Sequence, residues 1–114
     1  MGDDVSERKE LGKITHATFG LGGYQDAQIG LSLTFGGSGW GCSTFRGDWA
    51  IDRSEHAKWT ENDRIRQLGE TVMWLRDILR KAKVDCVGNL VGIPVECTFD
   101  GNVLKEWRVL EEVL

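Results

Sequence analysis

The segment from residue 60 to residue 83 carries apolar side chains at spacings of three and four. Residues three or four apart lie on the same side of an α-helix, so this spacing predicts a helix with one apolar stripe. Thr60 and Asp63 are spaced as in a capping box, which predicts that the helix begins there. The stripe consists of Ile65, Leu68, Val72, Leu75, Leu79 and Ala82. The rest of the chain must supply a surface that buries this stripe.

The segments on either side of this helix have the composition and turn signals of β-strands, and in residues 29–35 and 95–100 apolar and polar side chains alternate with a period of two, as in strands with one buried face. The predicted strands cover residues 13–19, 29–35, 41–45, 95–100 and 103–114. Glycine-rich segments and the sequence Asp100-Gly101-Asn102 separate several of them and predict tight turns. We therefore predict an α+β fold of order β-β-β-α-β-β, an antiparallel sheet of about five strands with one long amphipathic helix packed on one face.

The length of the chain, 114 residues, leaves room for one hydrophobic core. A hydrophobic fraction of 40% and a charged fraction of 28% are those of an ordinary globular protein. Charged side chains are frequent up to Glu10, so we expect residues 1–11 to form a disordered charged leader. Residues 12–114 are then predicted to form a single α+β domain.

The net charge of −4 argues against a protein that binds nucleic acid without sequence preference, because such proteins need surplus Lys and Arg to displace counterions. No apolar run in the sequence approaches the length of a membrane span. The first residues also lack the apolar segment of a signal peptide. We therefore expect a cytoplasmic protein with no membrane partner.

The sequence contains no motif that is typical of a catalytic or metal site. Its three cysteines, Cys42, Cys86 and Cys97, are odd in number and form no close pair along the chain, so we expect reduced thiols and no disulfide framework. Neither histidine has the spacing of a metal ligand, and no serine or cysteine lies in a nucleophile signature. We therefore expect no metal, no cofactor and no catalytic residue; an enzyme built on scattered carboxylates is the less favoured alternative.

Tryptophan is abundant, with five residues in the chain. Trp40, Trp49 and Trp59 lie in or beside connecting segments that also carry arginines. Flat rings beside guanidinium groups suit a ligand that joins a nucleobase to a phosphate, although tryptophans that fill a small core would give the same composition. In a ligand site, glycines would let backbone N–H groups approach phosphate, a ring would stack on the base, and arginines would neutralise charge. The predicted ligand-binding residues are Gly22, Gly23, Tyr24, Gln25, Asp26, Arg46, Trp49 and Arg53.

Two large side chains of the predicted helix fall outside its apolar stripe. At about 100° per residue, Trp74 lies roughly 130° from the centre of the stripe, where a monomer would leave it in water. Met73 also lies outside the stripe, on the opposite side. A second copy of the chain is the simplest cover, so we predict a homo-oligomer, most simply a two-fold dimer, with Met73 and Trp74 in its interface.

Three segments give the chain a recognisable signature: FGLGGYQDAQIGLSLTFGGSGWG, AKVDCVGNLVGIPVECTFDGN and LKEWRVLEEVL. With them, residues 12–114 as a whole resemble a family of short phage and prophage proteins. The resemblance implies a phage or prophage origin, and it implies no particular activity.

Small phage proteins without enzymatic motifs are often accessory factors that block host defence, which gives a leading hypothesis by analogy. On that hypothesis the chain is a non-enzymatic counter-defence protein that binds and sequesters an anionic, nucleotide-type small molecule. The alternatives are an inhibitor that binds a host defence protein directly, and an accessory protein of phage DNA metabolism.

Overall fold

Five strands and one long helix make up the part of the chain that the computed structural model describes, residues 7–114. The helix begins with the predicted capping box and buries one side against the strands. Three short 3-10 turns, Tyr24–Asp26, Val87–Leu90 and Glu111–Val113, lie in the connections and at the end. The elements are β1 (Glu7–Gly22), β2 (Gln28–Gly37), β3 (Trp40–Trp49), α1 (Glu61–Ala82), β4 (Pro94–Asp100) and β5 (Val103–Val109). The predicted α+β fold of order β-β-β-α-β-β is confirmed.

All neighbouring strands are antiparallel, and the sheet has the order β3-β2-β1-β4-β5. The long central strand β1 belongs to two ladders. Its first half, from Glu7 to Lys13, pairs with β4, and its second half, from Lys13 to Gly22, pairs with β2. The expectation of a disordered leader is therefore wrong for residues 7–11, because β4 supplies a hydrogen-bonding partner for them. Residues 1–6 of that leader lie outside the described residues.

The sheet is strongly curled, so that strands far apart in its order meet across its inner face. The rings of Trp40 on β3 and Phe99 on β4 pack edge to face with centroids 5.5 Å apart, although two strands lie between β3 and β4. A flat sheet would separate them by three strand spacings of nearly 5 Å each. Gly12 makes room for this contact, because a Cβ there would lie 2.6 Å from the Trp40 ring and 2.5 Å from the carbonyl oxygen of Gly36.

The core lies between the inner face of this sheet and α1. Most of its fully buried side chains come from alternate positions of β2 and β4, as the period of two predicts, and Ile14 of β1 and Leu90 add to them. From the helix, Ile78 and Ala82 are buried in the same cluster. The sheet contributes Ile14, Leu31, Leu33, Phe35, Val95, Cys97, Phe99 and Val109.

The helix is rotated relative to the predicted stripe. Thr71 is 2% exposed, whereas Val72 and Ile65 of the predicted stripe are 56% and 63% exposed. Adjacent helix residues differ by about 100° in direction, so the buried side is centred closer to Thr71 and Ile78 than to Val72. The prediction missed this because Thr71 is polar, but its hydroxyl donates a hydrogen bond to the Asp48 carboxylate on β3.

Candidate ligand-binding pocket

The predicted ligand-binding residues are divided between two sides of the sheet. Residues 22–26 and Trp49 do lie at the same end of the sheet, because Trp49 pairs with Gln28 and the Ala50 N–H donates to the Ala27 carbonyl at 2.9 Å. Arg46, three positions before Trp49 in the same strand, lies on the opposite face of the sheet. The structure therefore does not bring Arg46 and Trp49 together.

Two other members of the predicted site are engaged by their own surroundings. The Arg53 guanidinium donates to the carbonyl oxygens of Trp59 at 2.7 Å and Ala57 at 3.1 Å, so this side chain holds its own connection together. Gly22 lies under the Phe45 ring, since a Cβ there would meet that ring at 2.7 Å. Neither residue is placed to meet a phosphate. Tyr24, Gln25 and Asp26 are exposed in the turn after β1.

Arg46 takes part in a different arrangement of ring and guanidinium. Its guanidinium carbon lies 4.5 Å from the centroid of the Trp74 ring on α1. This is a cation–π contact, worth about 0.5–1 kcal/mol at an exposed site. The contact also covers part of the ring, which is half-buried and packs against the core of its own chain. The expectation that Trp74 is left in water is therefore wrong, because β3 curls over it.

The Arg46–Trp74 pair forms part of the wall of a pocket of about 480 Å³. The pocket lies where α1 contacts β3 and β5, the two edge strands of the curled sheet. Trp74, Ile78 and Lys81 follow one another at helical spacings of four and three, which places them on one side of α1. Thr44 and Arg46 come from alternate positions of β3, and Glu106, Trp107, Arg108 and Val109 come from β5, with Glu111 just beyond it.

Three cationic side chains line this pocket, and they differ in their partners. Arg108 is already paired with two carboxylates, because its Nε lies 3.1 Å from Glu96 Oε1 and its Nη2 lies 2.9 Å from Glu112 Oε2. Those hydrogen bonds raise the pKa of Arg108 further and lower the pKa of Glu112. Within residues 7–114, neither the Arg46 guanidinium nor the Lys81 ammonium takes part in a side-chain hydrogen bond or an ion pair. These two cations are available to an anionic ligand.

The remaining wall combines an aromatic surface with two acidic groups. The Trp107 ring is half-buried and packs on Phe35, with centroids 5.0 Å apart. Packing of this kind fixes the ring, so that binding a planar group against it costs little further ordering. The carboxylates of Glu106 and Glu111 can accept hydrogen bonds from hydroxyl or amino groups of a ligand. The pocket therefore offers cations, rings and acceptors within one enclosure.

Sequence reasoning missed this pocket because the curl of the sheet creates it. Trp74 and Lys81 are seven residues apart, which is two helical turns, and this spacing was available as a signal that they share a side of α1. Trp107 is also visible in the sequence as an inward residue of an alternating strand. The meeting of β3 with β5 depends on contacts between distant segments, for which no local pattern exists.

The described residues also bear on two other kinds of site. Within residues 7–114, no three His, Cys, Asp or Glu side chains are grouped so that they could hold a metal ion. In that same part of the chain, no helix has the length and apolar character needed to cross a membrane. Comparisons of this chain with protein-family models, curated proteins and solved structures found no match.

Proposed function

We propose that the protein is a non-enzymatic binding protein that sequesters an anionic, nucleotide-type small molecule in the pocket between α1, β3 and β5. The observation that carries the proposal is that Arg46 and Lys81, two cations without a carboxylate partner among the described residues, line one pocket with the rings of Trp74 and Trp107. The proposed site therefore replaces the one expected at residues 22–26 and Trp49.

Each part of a nucleotide has a counterpart in this pocket. A volume of about 480 Å³ is within the range of small-molecule sites. Phosphate oxygens would accept hydrogen bonds from Arg46 and Lys81, and charge-assisted bonds of this kind are the stronger ones. A base would stack on an exposed part of Trp107, while Glu106 or Glu111 would accept from ribose hydroxyls or exocyclic amines.

The proposed role of this binding is counter-defence in a bacterial cell infected by a phage. It rests on the resemblance to short phage and prophage proteins and on the pocket. A protein that binds a nucleotide signal without turning it over lowers the free concentration of that signal, and it needs no catalytic group to do so. On this proposal, inhibition would require the protein in at least stoichiometric amount to the signal.

The first experiment is a thermal-shift screen against cyclic dinucleotides, cyclic trinucleotides and ADP-ribose derivatives, because a ligand that binds the native state raises the melting temperature. Affinity for any hit is then measured by calorimetry with Arg46→Met and Lys81→Met, which remove the charge and keep an aliphatic side chain. Each variant should bind roughly tenfold to a hundredfold more weakly, since a hydrogen bond to a charged group contributes about 1.5–3 kcal/mol.

Two matched variants act as controls. Lys58→Met removes an exposed cation outside the pocket, and Trp49→Ala removes the ring of the site expected from sequence. Both should bind the nucleotide as the wild type does. A screen in which no nucleotide raises the melting temperature, or a hit whose affinity depends on Trp49 and not on Arg46, would overturn the proposed pocket.

A second candidate function, inhibition of a host defence protein by direct contact, is favoured by a separate observation. Ile65, Val72 and Met73 on the outer side of α1 are 63%, 56% and 49% exposed. Exposed apolar groups close together often mark a surface that binds another protein. Val72→Glu should abolish inhibition of the host system if this function is correct, whereas Arg46→Met should leave inhibition intact.

A further inference from the structure

The structure brings together two cysteines that are 55 positions apart in the chain. Cys42 on β3 and Cys97 on β4 both belong to the core on the inner face of the sheet, and their thiols are close enough for each to shift the pKa of the other. Both are free thiols, Cys97 buried and Cys42 half-buried. The sequence indicated no close cysteine pair, because the contact exists only in the curled sheet.

The surrounding contacts fix this pairing independently. Trp40 precedes Cys42 by two residues and meets Phe99, which follows Cys97 by two residues, at a centroid distance of 5.5 Å. Residues two apart in a strand share a face, so β3 and β4 oppose each other across the interior in antiparallel register. On the other side, the β2 partner of Cys42, Phe35, packs on the β5 partner of Cys97, Trp107, at 5.0 Å.

The two thiols differ in reactivity. Burial, together with the neighbouring Cys42 thiol, raises the pKa of Cys97 to about 12. Burial also raises the pKa of Cys42, and the opposing effect of Cys97 is the smaller of the two. Cys42 is the one of the two that solvent reaches, since it is half-buried whereas Cys97 is buried. A thiolate with partial exposure is the form that oxidants attack.

We propose that Cys42 and Cys97 are an oxidative modification site that closes reversibly to a disulfide with a peroxide as oxidant. Peroxide converts the Cys42 thiol to a sulfenic acid and releases water. The Cys97 sulfur then attacks the Cys42 sulfur, the S–OH bond breaks, and a second water leaves as the S–S bond forms. Two thiols lose two hydrogen atoms, and one peroxide becomes two waters.

The bond would join β3 to β4 across the interior of the sheet. Thr44 and Arg46, which line the ligand pocket, follow Cys42 by two and four positions on the same face of β3. A covalent link at Cys42 would therefore restrict this wall of the pocket. It would also remove freedom from the unfolded chain over a long segment, which stabilises the native state.

The test uses a Cys86→Ser background, which removes the exposed third thiol and leaves Cys42 and Cys97. The protein is treated with hydrogen peroxide, denatured, alkylated and weighed by mass spectrometry. We expect both thiols to disappear together with the loss of two hydrogen atoms in a monomeric product, and dithiothreitol to restore both. The oxidised protein should also melt at a higher temperature than the reduced protein.

Two further variants keep the result interpretable. In the Cys86→Ser background, Cys97→Ala leaves Cys42 alone and should accumulate a sulfenic acid that dimedone labels, and Cys42→Ala should protect Cys97 from oxidation. The proposal is overturned if two thiols remain after peroxide treatment of the folded protein. It is also overturned if Cys42 becomes a sulfinic acid while Cys97 stays alkylatable.

Discussion

Thr71 shows how a single polar residue can determine which side of a helix is buried. Its side chain is almost fully buried in α1, and its hydroxyl donates to the Asp48 carboxylate on β3. A pattern of apolar residues leaves such a position out, because a threonine has no visible partner in the sequence. The partner, Asp48, lies on a strand 23 residues earlier in the chain. The side of the helix that carries Thr71 faces that strand.

Thr71→Val should therefore destabilise the protein although it preserves the shape of the side chain. The Asp48 carboxylate would lose its donor in a partly buried position, at a cost of about 1 kcal/mol or more. Thr71→Ser keeps the hydroxyl and should cost less. Urea unfolding of both variants measures the difference, and a valine variant as stable as the serine variant would contradict this role for the hydrogen bond.

Gly12 and Gly69 are expected to respond in opposite ways to the same substitution. A Cβ at Gly12 would lie 2.5 Å from the Gly36 carbonyl oxygen, so Gly12→Ala must push backbone apart and should cost about 1–3 kcal/mol. Gly69 lies inside α1 with no atom near its Cβ position, so Gly69→Ala should stabilise the protein by about 0.5–1 kcal/mol. Thermal unfolding of the pair is the measurement, and equal melting temperatures would contradict the close approach at Gly12.

At the scale of elements, α1 begins where the sequence predicts. The Asp63 N–H donates to the Thr60 hydroxyl at 3.1 Å, and the Thr60 N–H donates to the Asp63 carboxylate at 3.0 Å. The predicted capping box is thus confirmed. Both bonds are local and both residue types have a strong preference for these positions, which is why the sequence is a good guide here.

The capping box also gives α1 a defined response to pH. The hydrogen bond from the Thr60 backbone lowers the pKa of Asp63 below its ordinary value of 3.8. A lowered pKa means that the ionised form contributes stability above the unfolded-state value, and that this contribution is lost as the pH falls through the folded-state value. Wild type should be more stable than Asp63→Asn at neutral pH, and the gap should close in acid. Urea unfolding from pH 7 downward tests this, and a gap that stays constant would contradict it.

The sequence predicted the order of the strands along the chain and which of their residues face inward. It did not predict how long the strands are or how the sheet curves. Alternation at Leu31, Leu33 and Phe35 indicated the buried face of β2, and all three are buried. The first residues of β1 carry charge and looked like a leader. They are strand because β4 pairs with them and because neighbouring groups engage their charges, with Lys105 Nζ 2.8 Å from Glu7 Oε2 and Arg8 over the Phe99 ring at 4.8 Å.

The sequence predicted the residue types of the candidate site but not its position in the fold. The expectation of rings beside arginines describes Arg46 and Trp74 well, but the sequence suggested Trp49 as the ring. Alternation along β3 separates Arg46 from Trp49 by face, and this could have been read from their spacing of three. Trp74 and Trp107 lie in one pocket with Arg46 because the sheet is curled. The curl arises from contacts between segments far apart in the chain.

At the scale of the whole molecule, the expected homo-oligomer stays a prediction, now with a different basis. Trp74 is not evidence for a second copy of the chain, because residues of its own chain cover part of it. Ile65, Val72 and Met73 are exposed on the outer side of α1, and a two-fold partner would cover them. We expect light scattering to give the mass of a dimer, and Val72→Lys to give a monomer.

Val103→Lys is the matched control for this prediction, because Val103 is 69% exposed and belongs to β5 and not to α1. That variant should remain a dimer. A wild-type monomer at micromolar concentration would contradict self-association through α1, and it would leave the same residues free for the alternative function in which another protein binds them.

The two ladders of β1 give the protein an order of assembly. Its second half pairs with β2, which follows after a connection of a few residues. Its first half pairs with β4, which comes much later in the chain, so Glu7 is paired only when Asp100 is in place. Pairing between distant segments forms late, because more chain entropy is lost before any contact compensates for it. Until β4 arrives, the first half of β1 presents unpaired backbone groups to any neighbouring chain. The risk of aggregation is therefore greatest in a newly made chain whose last strands are missing, however stable the finished protein is.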